Sequence, residues 1–168
     1  GIIHDCLPTP EGIAVCRDYH IQMPMQSAFI GWKQEPDDYL ERILGHDRLE
    51  KLNPIRTFRD NGIVVSFGSD APCTTPDPIA WMDRAVNNGN AGQAVSVQDA
   101  LRMCTYNGAW VAFDEQERGS LEAGKIADMA VLSENPYTVP KDKLSCLRVE
   151  RLYLGGKPYE SCRENILP

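Results

Sequence analysis

The sequence predicts an α/β fold in which βα units build a parallel sheet, followed by a small β portion. Short, nearly all-apolar runs, typical of parallel strands covered by helices, alternate with segments of helical spacing up to about residue 113. A helix-capping residue followed by proline recurs three times, at Thr9-Pro10, Asn53-Pro54 and Asp77-Pro78. From Gly119 onwards, short β runs replace the helical pattern.

The first third of the chain predicts two strands and the helices that follow them. Ile2-Ile3 forms the end of a strand, and Thr9 caps a helix that runs from Pro10 to Tyr19. Residues 21–30, IQMPMQSAFI, predict a second strand, although Pro24 interrupts its regularity. Residues 35–52 place apolar side chains at helical spacings.

The middle of the chain predicts one more strand and three helices. Asn53-Pro54 begins a helix that Asn61-Gly62 ends, and residues 63–67, IVVSF, form the next strand. Asp77-Pro78 begins a helix that ends near Asn88-Gly89. Residues 96–99, SVQD, begin a helix that continues to about residue 113.

We place a domain boundary near residue 118, between an α/β part at residues 1–118 and a β part at residues 119–168. In the second part, IADMAVL at residues 126–132 predicts a strand. RLYLGGKPYE at residues 151–160 predicts a hairpin, because a Gly-Gly pair suits the positive backbone angles of tight turns.

Composition excludes several classes of partner. The formal charge of −7 over 168 residues argues against nucleic acid and against an anionic membrane surface. No apolar run approaches the ~20 residues of a membrane span, and the first residues lack the layout of a signal peptide.

The six cysteines are scattered without a Cys-x-x-Cys pair, which favours reduced thiols in a cytoplasmic protein. Because the chain starts at Gly1 without an initiator Met, we expect a piece of a longer protein.

Residues 119–125, GSLEAGK, match the G-x-x-x-x-G-K core of a phosphate-binding loop. Such a loop needs a preceding strand, a following helix and a Ser or Thr after the lysine. Here Ile126 stands at the hydroxyl position, a helix precedes and a strand follows. We therefore interpret Gly124-Lys125 as a turn between two β segments.

Two polar residues follow strand ends, where reactive groups collect in parallel sheets. Asp70 lies in FGSDAP, between Gly68, which allows close packing or an unusual backbone angle, and Pro72, which stiffens the exit from the turn. His4 follows the apolar Ile2-Ile3. Each has an alternative interpretation: Asp70 caps a turn, and His4 is a structural or solvated histidine.

Several longer stretches resemble one family. FGSDAPCTTPDP, AVSVQDALRMCTYNGAWVAF and RGSLEAGKIADMAVLSENP resemble the C-terminal part of the amidohydrolase superfamily, in the branch with exoenzyme-regulator-like proteins and formamide deformylases. GSLEAGKIADMAVL resembles the re-entry into a small β-sandwich, and VERLYLGGKPYE its closing hairpin. Residues 2–29 resemble the segment from the sixth to the seventh barrel strand. The resemblance implies the C-terminal portion of a (β/α)8 TIM barrel, about strands 6–8 with their helices, plus part of the β-sandwich.

The resemblance also implies the chemistry. Such barrels hold one or two divalent metals, usually zinc, at the mouth. His4 corresponds to the histidine after strand six, which binds the second metal or the substrate. Asp70 corresponds to the aspartate after strand eight, a metal ligand that takes a proton from the activated water and passes it to the leaving nitrogen. Trp32 and Gln26, near the end of strand seven, are candidates for lining the pocket, with a simple buried aromatic as the alternative for Trp32.

The family's other metal ligands find no match here and would lie upstream of Gly1. We therefore expect a metal-dependent hydrolase of carbon–nitrogen bonds other than peptide bonds, acting on a small amide-like molecule, whose C-terminal fragment alone is inactive. The alternative is a non-catalytic binding or regulatory module. Because a partial barrel exposes strand edges, we expect pairing with the missing N-terminal part of the barrel or self-association into a homo-oligomer, which light scattering tests.

Overall fold

The computed structural model describes residues 1–159, which form a two-stranded parallel sheet and a three-stranded antiparallel sheet. The first part of the chain holds α1 (Pro10–Asp18), β1 (Met23–Met25), α2 (Asp37–Leu44), α3 (His46–Leu49), α4 (Ile55–Asp60) and β2 (Val65–Phe67). The second part holds α5 (Pro78–Val86), α6 (Val97–Cys104), α7 (Tyr106–Val111), β3 (Met129–Leu132), β4 (Val149–Leu154) and β5 (Lys157–Pro158). Two 3₁₀ helices, Ser27–Phe29 and Lys141–Cys146, complete the list.

A third extended segment, residues 2–4, lies beside β1 on the side opposite β2. β1 pairs with β2 in the register Met23 to Val65 and Met25 to Phe67. On its other side, Ile2 N–H donates to the Gln22 carbonyl at 2.9 Å and His4 N–H to the Pro24 carbonyl at 3.1 Å. Residues 2–4 thus run parallel to β1 like a third strand, as predicted, although too briefly to form a regular one. Ile3 is 61% exposed on the outer edge of this segment, and self-association there stays a prediction.

Three predicted helix starts are confirmed by their caps. Thr9 Oγ1 accepts from Gly12 N–H at 3.1 Å, and the Asp77 carboxylate accepts from the first N–H groups of α5. Ser96 and Asp99 form a reciprocal capping box at α6. Such local side-chain bonds satisfy N–H groups that a helix leaves unpaired at its start.

The predicted cap at Asn53 is wrong by one residue. Pro54 stands at the N-cap and α4 begins at Ile55. Asn53 instead has a φ of 51° and donates its N–H to the Cys6 carbonyl at 2.8 Å. Asparagine tolerates this left-handed conformation better than most residues, so it makes the turn before the helix rather than its cap.

Three predicted elements are shorter than their patterns suggested. The strand over residues 21–30 is reduced to β1, because the chain turns into a 3₁₀ helix where Ser27 Oγ donates to the Trp81 carbonyl at 2.9 Å. The helical segment 35–52 breaks at Gly45, whose φ is 79°. The helix predicted from Ser96 to residue 113 breaks at Thr105, whose hydroxyl donates to the Leu101 carbonyl at 2.8 Å.

One hydrophobic cluster links both parts of the chain. Met23, Met25 and Phe58 are at most 1% exposed within it, where they pack with residues of α5 and α6. Leu144 and Leu147 belong to the same cluster, and the 3₁₀ helix that holds Leu144 packs against α5. The boundary near residue 118 stays a prediction, and apolar packing crosses it.

The β part confirms the predicted hairpin. β3 pairs antiparallel with β4, and β4 pairs antiparallel with β5 around Gly155 and Gly156, both at positive φ. Glu160, at the end of the predicted hairpin segment, and Cys162 lie outside the described residues. Within residues 1–159, no helix is long and apolar enough to cross a membrane.

The turn predicted at Gly124-Lys125 is confirmed, but the prediction of a β segment on each side of it is wrong, because α7 precedes it. It lies between α7 and β3, and Lys125 Nζ donates to the Glu115 carbonyl and to Ser120 Oγ, each at 2.7 Å. The Lys125 side chain is 13% exposed, and its ammonium lies 5.6 Å from the centre of the Tyr106 ring. The Lys125 ammonium is thus engaged in hydrogen bonds to nearby residues of its own chain, rather than positioned to bind a phosphate.

Candidate active site

His4 and Asp70 lie side by side where two neighbouring segments of the parallel sheet end. His4 Nε2 and Asp70 Oδ2 are 3.7 Å apart, and their side chains are 40% and 43% exposed. His4 ends the segment beside β1, whereas Asp70 follows β2 by three residues. The fold therefore brings together two residues that are 66 positions apart in the sequence (70 − 4).

The turn after β2 fixes the direction of Asp70. Asp70 has a φ of 52°, and its carbonyl accepts from Cys73 N–H at 2.8 Å. Ser69 Oγ accepts from Ala71 N–H at 3.1 Å, and the Thr74 hydroxyl donates to the Ser69 carbonyl. These bonds hold the turn through Ser69 and the backbone, so the Asp70 carboxylate is left to face His4.

An aromatic row supports His4. The imidazole stacks on Phe29 with ring centres 5.8 Å apart and planes at 15°, and Phe29 contacts Trp32 at 5.0 Å. The 3₁₀ helix Ser27–Phe29 positions Phe29, and Trp32 N–H donates to the Phe29 carbonyl at 3.2 Å. Trp32, a predicted pocket residue, is half-buried at the far end of this row. Sequence reasoning missed Phe29, since its position depends on a turn that the strand-like pattern of residues 21–30 concealed.

Gln26 lies immediately after β1 and is 7% exposed. Its Oε1 is buried and has no hydrogen-bond partner within the described residues. A Cβ placed on Gly68 would lie 3.8 Å from Gln26 Nε2, so the carboxamide lies beside the residue that leads into the Asp70 turn. The second predicted pocket residue is thus close to the start of that turn.

Burial raises the pKa of two groups that follow His4 in the chain. Desolvation raises the pKa of Asp5, and desolvation followed by the charges of Asp5 and Glu35 raises the pKa of Cys6. A thiol with a raised pKa is a poor nucleophile and a poor metal ligand. The raised pKa thus disfavours Cys6 as a nucleophile next to the His4–Asp70 pair.

The donor atoms of His4 and Asp70 are compatible with a divalent metal. An imidazole nitrogen and a carboxylate oxygen are both ordinary zinc ligands, and two ligands of one tetrahedral zinc lie about 3.3 Å apart. The observed 3.7 Å requires only a small adjustment. Within residues 1–159, no group of three or more His, Cys, Asp or Glu side chains is placed to hold a metal. A zinc here needs ligands in addition to His4 and Asp70.

A family model described as "Amidohydrolase family" matches residues 1–159. The chain belongs to the amidohydrolase family. An N-substituted formamide deformylase from Arthrobacter pascens is 36% identical over 132 residues, covering 74% of this chain and 22% of that protein. The putative amidohydrolase YtcJ of Bacillus subtilis is 29% identical over 124 residues, covering 68% of this chain and 23% of that protein. The amidohydrolase chain described here thus spans less than a quarter of either relative.

Solved structures share the fold. An uncharacterised metal-dependent hydrolase from Pyrococcus horikoshii superposes with a TM-score of 0.72 at 24% identity, covering 84% of this chain and 30% of that one. An atrazine chlorohydrolase mutant from Arthrobacter aurescens, complexed with zinc, superposes with a TM-score of 0.64 at 21% identity, covering 93% of this chain and 35% of that one. These likenesses show a mixed α/β fold that matches about a third of each of those two chains.

Proposed function

We propose that this chain forms the C-terminal part of a metal-dependent amidohydrolase that hydrolyses a non-peptide carbon–nitrogen bond of a small molecule. The observation that supports the proposal is the 3.7 Å approach of His4 and Asp70 at the ends of neighbouring parallel segments. Two relatives point to the same bond type by name: the formamide deformylase, and a 5-methylthioadenosine/S-adenosylhomocysteine deaminase that is 30% identical over 100 residues.

We assign residues 1–4, β1 and β2 to the sixth, seventh and eighth strands of a (β/α)8 barrel. Their parallel order, with β1 in the middle, supports this assignment. The partners implied are a small amide-like substrate and the remaining strands of the barrel, which would cover the edge at Ile3.

In this proposal His4 and Asp70 are metal ligands and Asp70 also moves the proton. A divalent metal, when bound, lowers the pKa of water to about 7 and so supplies a nucleophile at neutral pH. Asp70 has an accessible carboxylate, which accepts the proton of the attacking water and returns it to the leaving nitrogen. Phe29 holds the imidazole of His4 in a fixed plane, and Trp32 and Gln26 line the pocket.

The test measures bound metal and hydrolysis in the full-length protein, by elemental analysis and with a panel of amides, amidines and cyclic ureides. We expect bound zinc or a similar ion, and turnover of at least one compound. Asp70→Asn should lower kcat by about 10²- to 10⁴-fold, the range for loss of a general acid–base group.

Asp142→Asn is the matched control, because Asp142 is exposed in the 3₁₀ helix Lys141–Cys146. It makes the same charge change outside the proposed site and should leave kcat unchanged. A full-length protein that binds no metal and hydrolyses nothing would favour the non-catalytic binding module instead. Full activity in Asp70→Asn would remove Asp70 from the mechanism.

A further inference from the structure

The two faces of the parallel sheet differ in polarity. Met23 and Met25 of β1 pack into the hydrophobic cluster beneath the helices. The alternate residues Gln22 and Gln26 lie on the opposite face, together with Ser66 of β2, and each of these three is at most 9% exposed. Gln26 is the member of this polar row at the carboxyl end of β1, the end where His4 and Asp70 meet.

The Gln26 carboxamide has an unused acceptor. Oε1 is buried from solvent and has no hydrogen-bond partner in residues 1–159. A buried carbonyl oxygen without a donor costs free energy, and most such groups in folded proteins are paired. An orphan acceptor beside a candidate site therefore indicates that a donor reaches it in the functional complex.

We propose that Gln26 Oε1 accepts a hydrogen bond from an N–H group on the nitrogen of the bond that is cleaved; this inference rests on the proposed function. The substrates would then be primary or secondary amides, amidines or ureides. Esters and N,N-disubstituted amides have no N–H at this position, and binding them would leave the buried oxygen of Gln26 unpaired. Gln26 is in this account a specificity-determining residue, and His4 and Asp70 retain the chemistry.

The placement of Gln26 supports this role. β1 lies between the segment that ends at His4 and the strand that leads to Asp70, so a residue at its carboxyl end adjoins both. Gly68 lies next to the carboxamide without crowding it, since even an added Cβ would remain 3.8 Å from Nε2. Gly68 therefore places no side chain against the Gln26 carboxamide.

The experiment compares Gln26→Met with wild type on three substrates that share an acyl group: a secondary amide, the N,N-disubstituted amide and the ester. Methionine has nearly the same length and shape but removes the acceptor. We expect kcat/KM for the secondary amide to fall about tenfold or more, with much smaller changes for the other two. Gln98→Met, on the exposed face of α6, should change none of the three values. Equal losses on all three substrates, or no loss, would overturn the proposal.

A binding measurement separates this inference from the proposed function. N-methylacetamide and N,N-dimethylacetamide are titrated into the full-length protein while amide resonances are followed by NMR. If the protein hydrolyses no amide, the proposed function fails, yet a preference for N-methylacetamide that Gln26→Met abolishes would still support hydrogen bonding at Gln26. Equal affinity for both probes in the wild-type protein would refute it.

Discussion

Two glycines of the turn before β3 offer a test that the structure makes quantitative. Gly119 and Gly124 both have positive φ, 88° and 95°, so alanine strains the backbone at either position. The surroundings differ. A Cβ on Gly119 would lie 2.6 Å from Ala109 Cβ and 3.1 Å from Tyr106 Cα of α7, whereas a Cβ on Gly124 has nothing within 4 Å.

The expected costs follow from this difference. Gly124→Ala should lower the free energy of unfolding by about 1–2 kcal/mol, the cost of a left-handed conformation for an L-residue. Gly119→Ala carries the same strain and also forces α7 away from the turn, which adds about 1–3 kcal/mol. The difference between the two variants therefore measures how tightly the turn packs on α7.

Urea unfolding followed by circular dichroism provides the measurement. The urea midpoint should fall in both variants, and further in Gly119→Ala. The slope of the free energy of unfolding against urea concentration should not change. Equal destabilisation of the two variants would refute the close packing of Gly119 on α7. A wild-type protein that binds inorganic phosphate, and loses this binding in Gly124→Ala, would refute the structural interpretation of the turn.

Three further outcomes are expected. Lys125→Met should cost about 1–3 kcal/mol of stability in the same urea assay, because it leaves the half-buried Glu115 carbonyl without its donor. The hydrogen bond that His46 donates to the Glu41 carboxylate raises the pKa of His46, so Glu41→Gln should shift the His46 NMR titration to lower pH. Because the folded pKa is the higher one, this ion pair stabilises the protein at pH values below the ordinary histidine pKa. The stabilisation is lost as pH rises through the folded value. Burial raises the pKa of Cys104 to about 12, so iodoacetamide at pH 8 should modify Cys104 far more slowly than the exposed Cys73, and equal rates would contradict the burial.

Local chemistry explains which helix starts were predictable. Thr9, Asp77 and Ser96 each bond to backbone N–H groups within three residues, so the information lies in one short stretch of sequence. Asn53 was misassigned because the same residue type also favours left-handed turns. In that case the deciding contact is with the Cys6 carbonyl, 47 residues earlier in the chain (53 − 6).

Distant contacts also explain the misjudged strand. The pattern of residues 21–30 is compatible with a long strand, yet β1 stops at Met25. Ser27 turns away because its hydroxyl bonds to Trp81, a contact that alternation of apolar residues does not encode. The same turn creates the stacking of Phe29 on His4, which is why an aromatic neighbour of the candidate site was missed.

The candidate pair itself was accessible from sequence because of position. Parallel strands end at one edge of a sheet, so polar residues that follow two strands are expected to meet there. His4 and Asp70 do so at 3.7 Å. Gln26 was predicted only as a pocket residue, since the burial of its carbonyl oxygen depends on packing across the sheet.

The 3₁₀ helix Lys141–Cys146 limits which C-terminal segments can be exchanged between this protein and its relatives. Leu144 is fully buried against residues that precede the β part, and Asn87 of the α5 terminus donates to the Lys141 carbonyl at 2.8 Å. A chimera joined near residue 118 would pack the 3₁₀ helix of one protein against the α5 surface of another. Such a chimera should therefore fold only when the 3₁₀ helix and α5 come from the same parent protein.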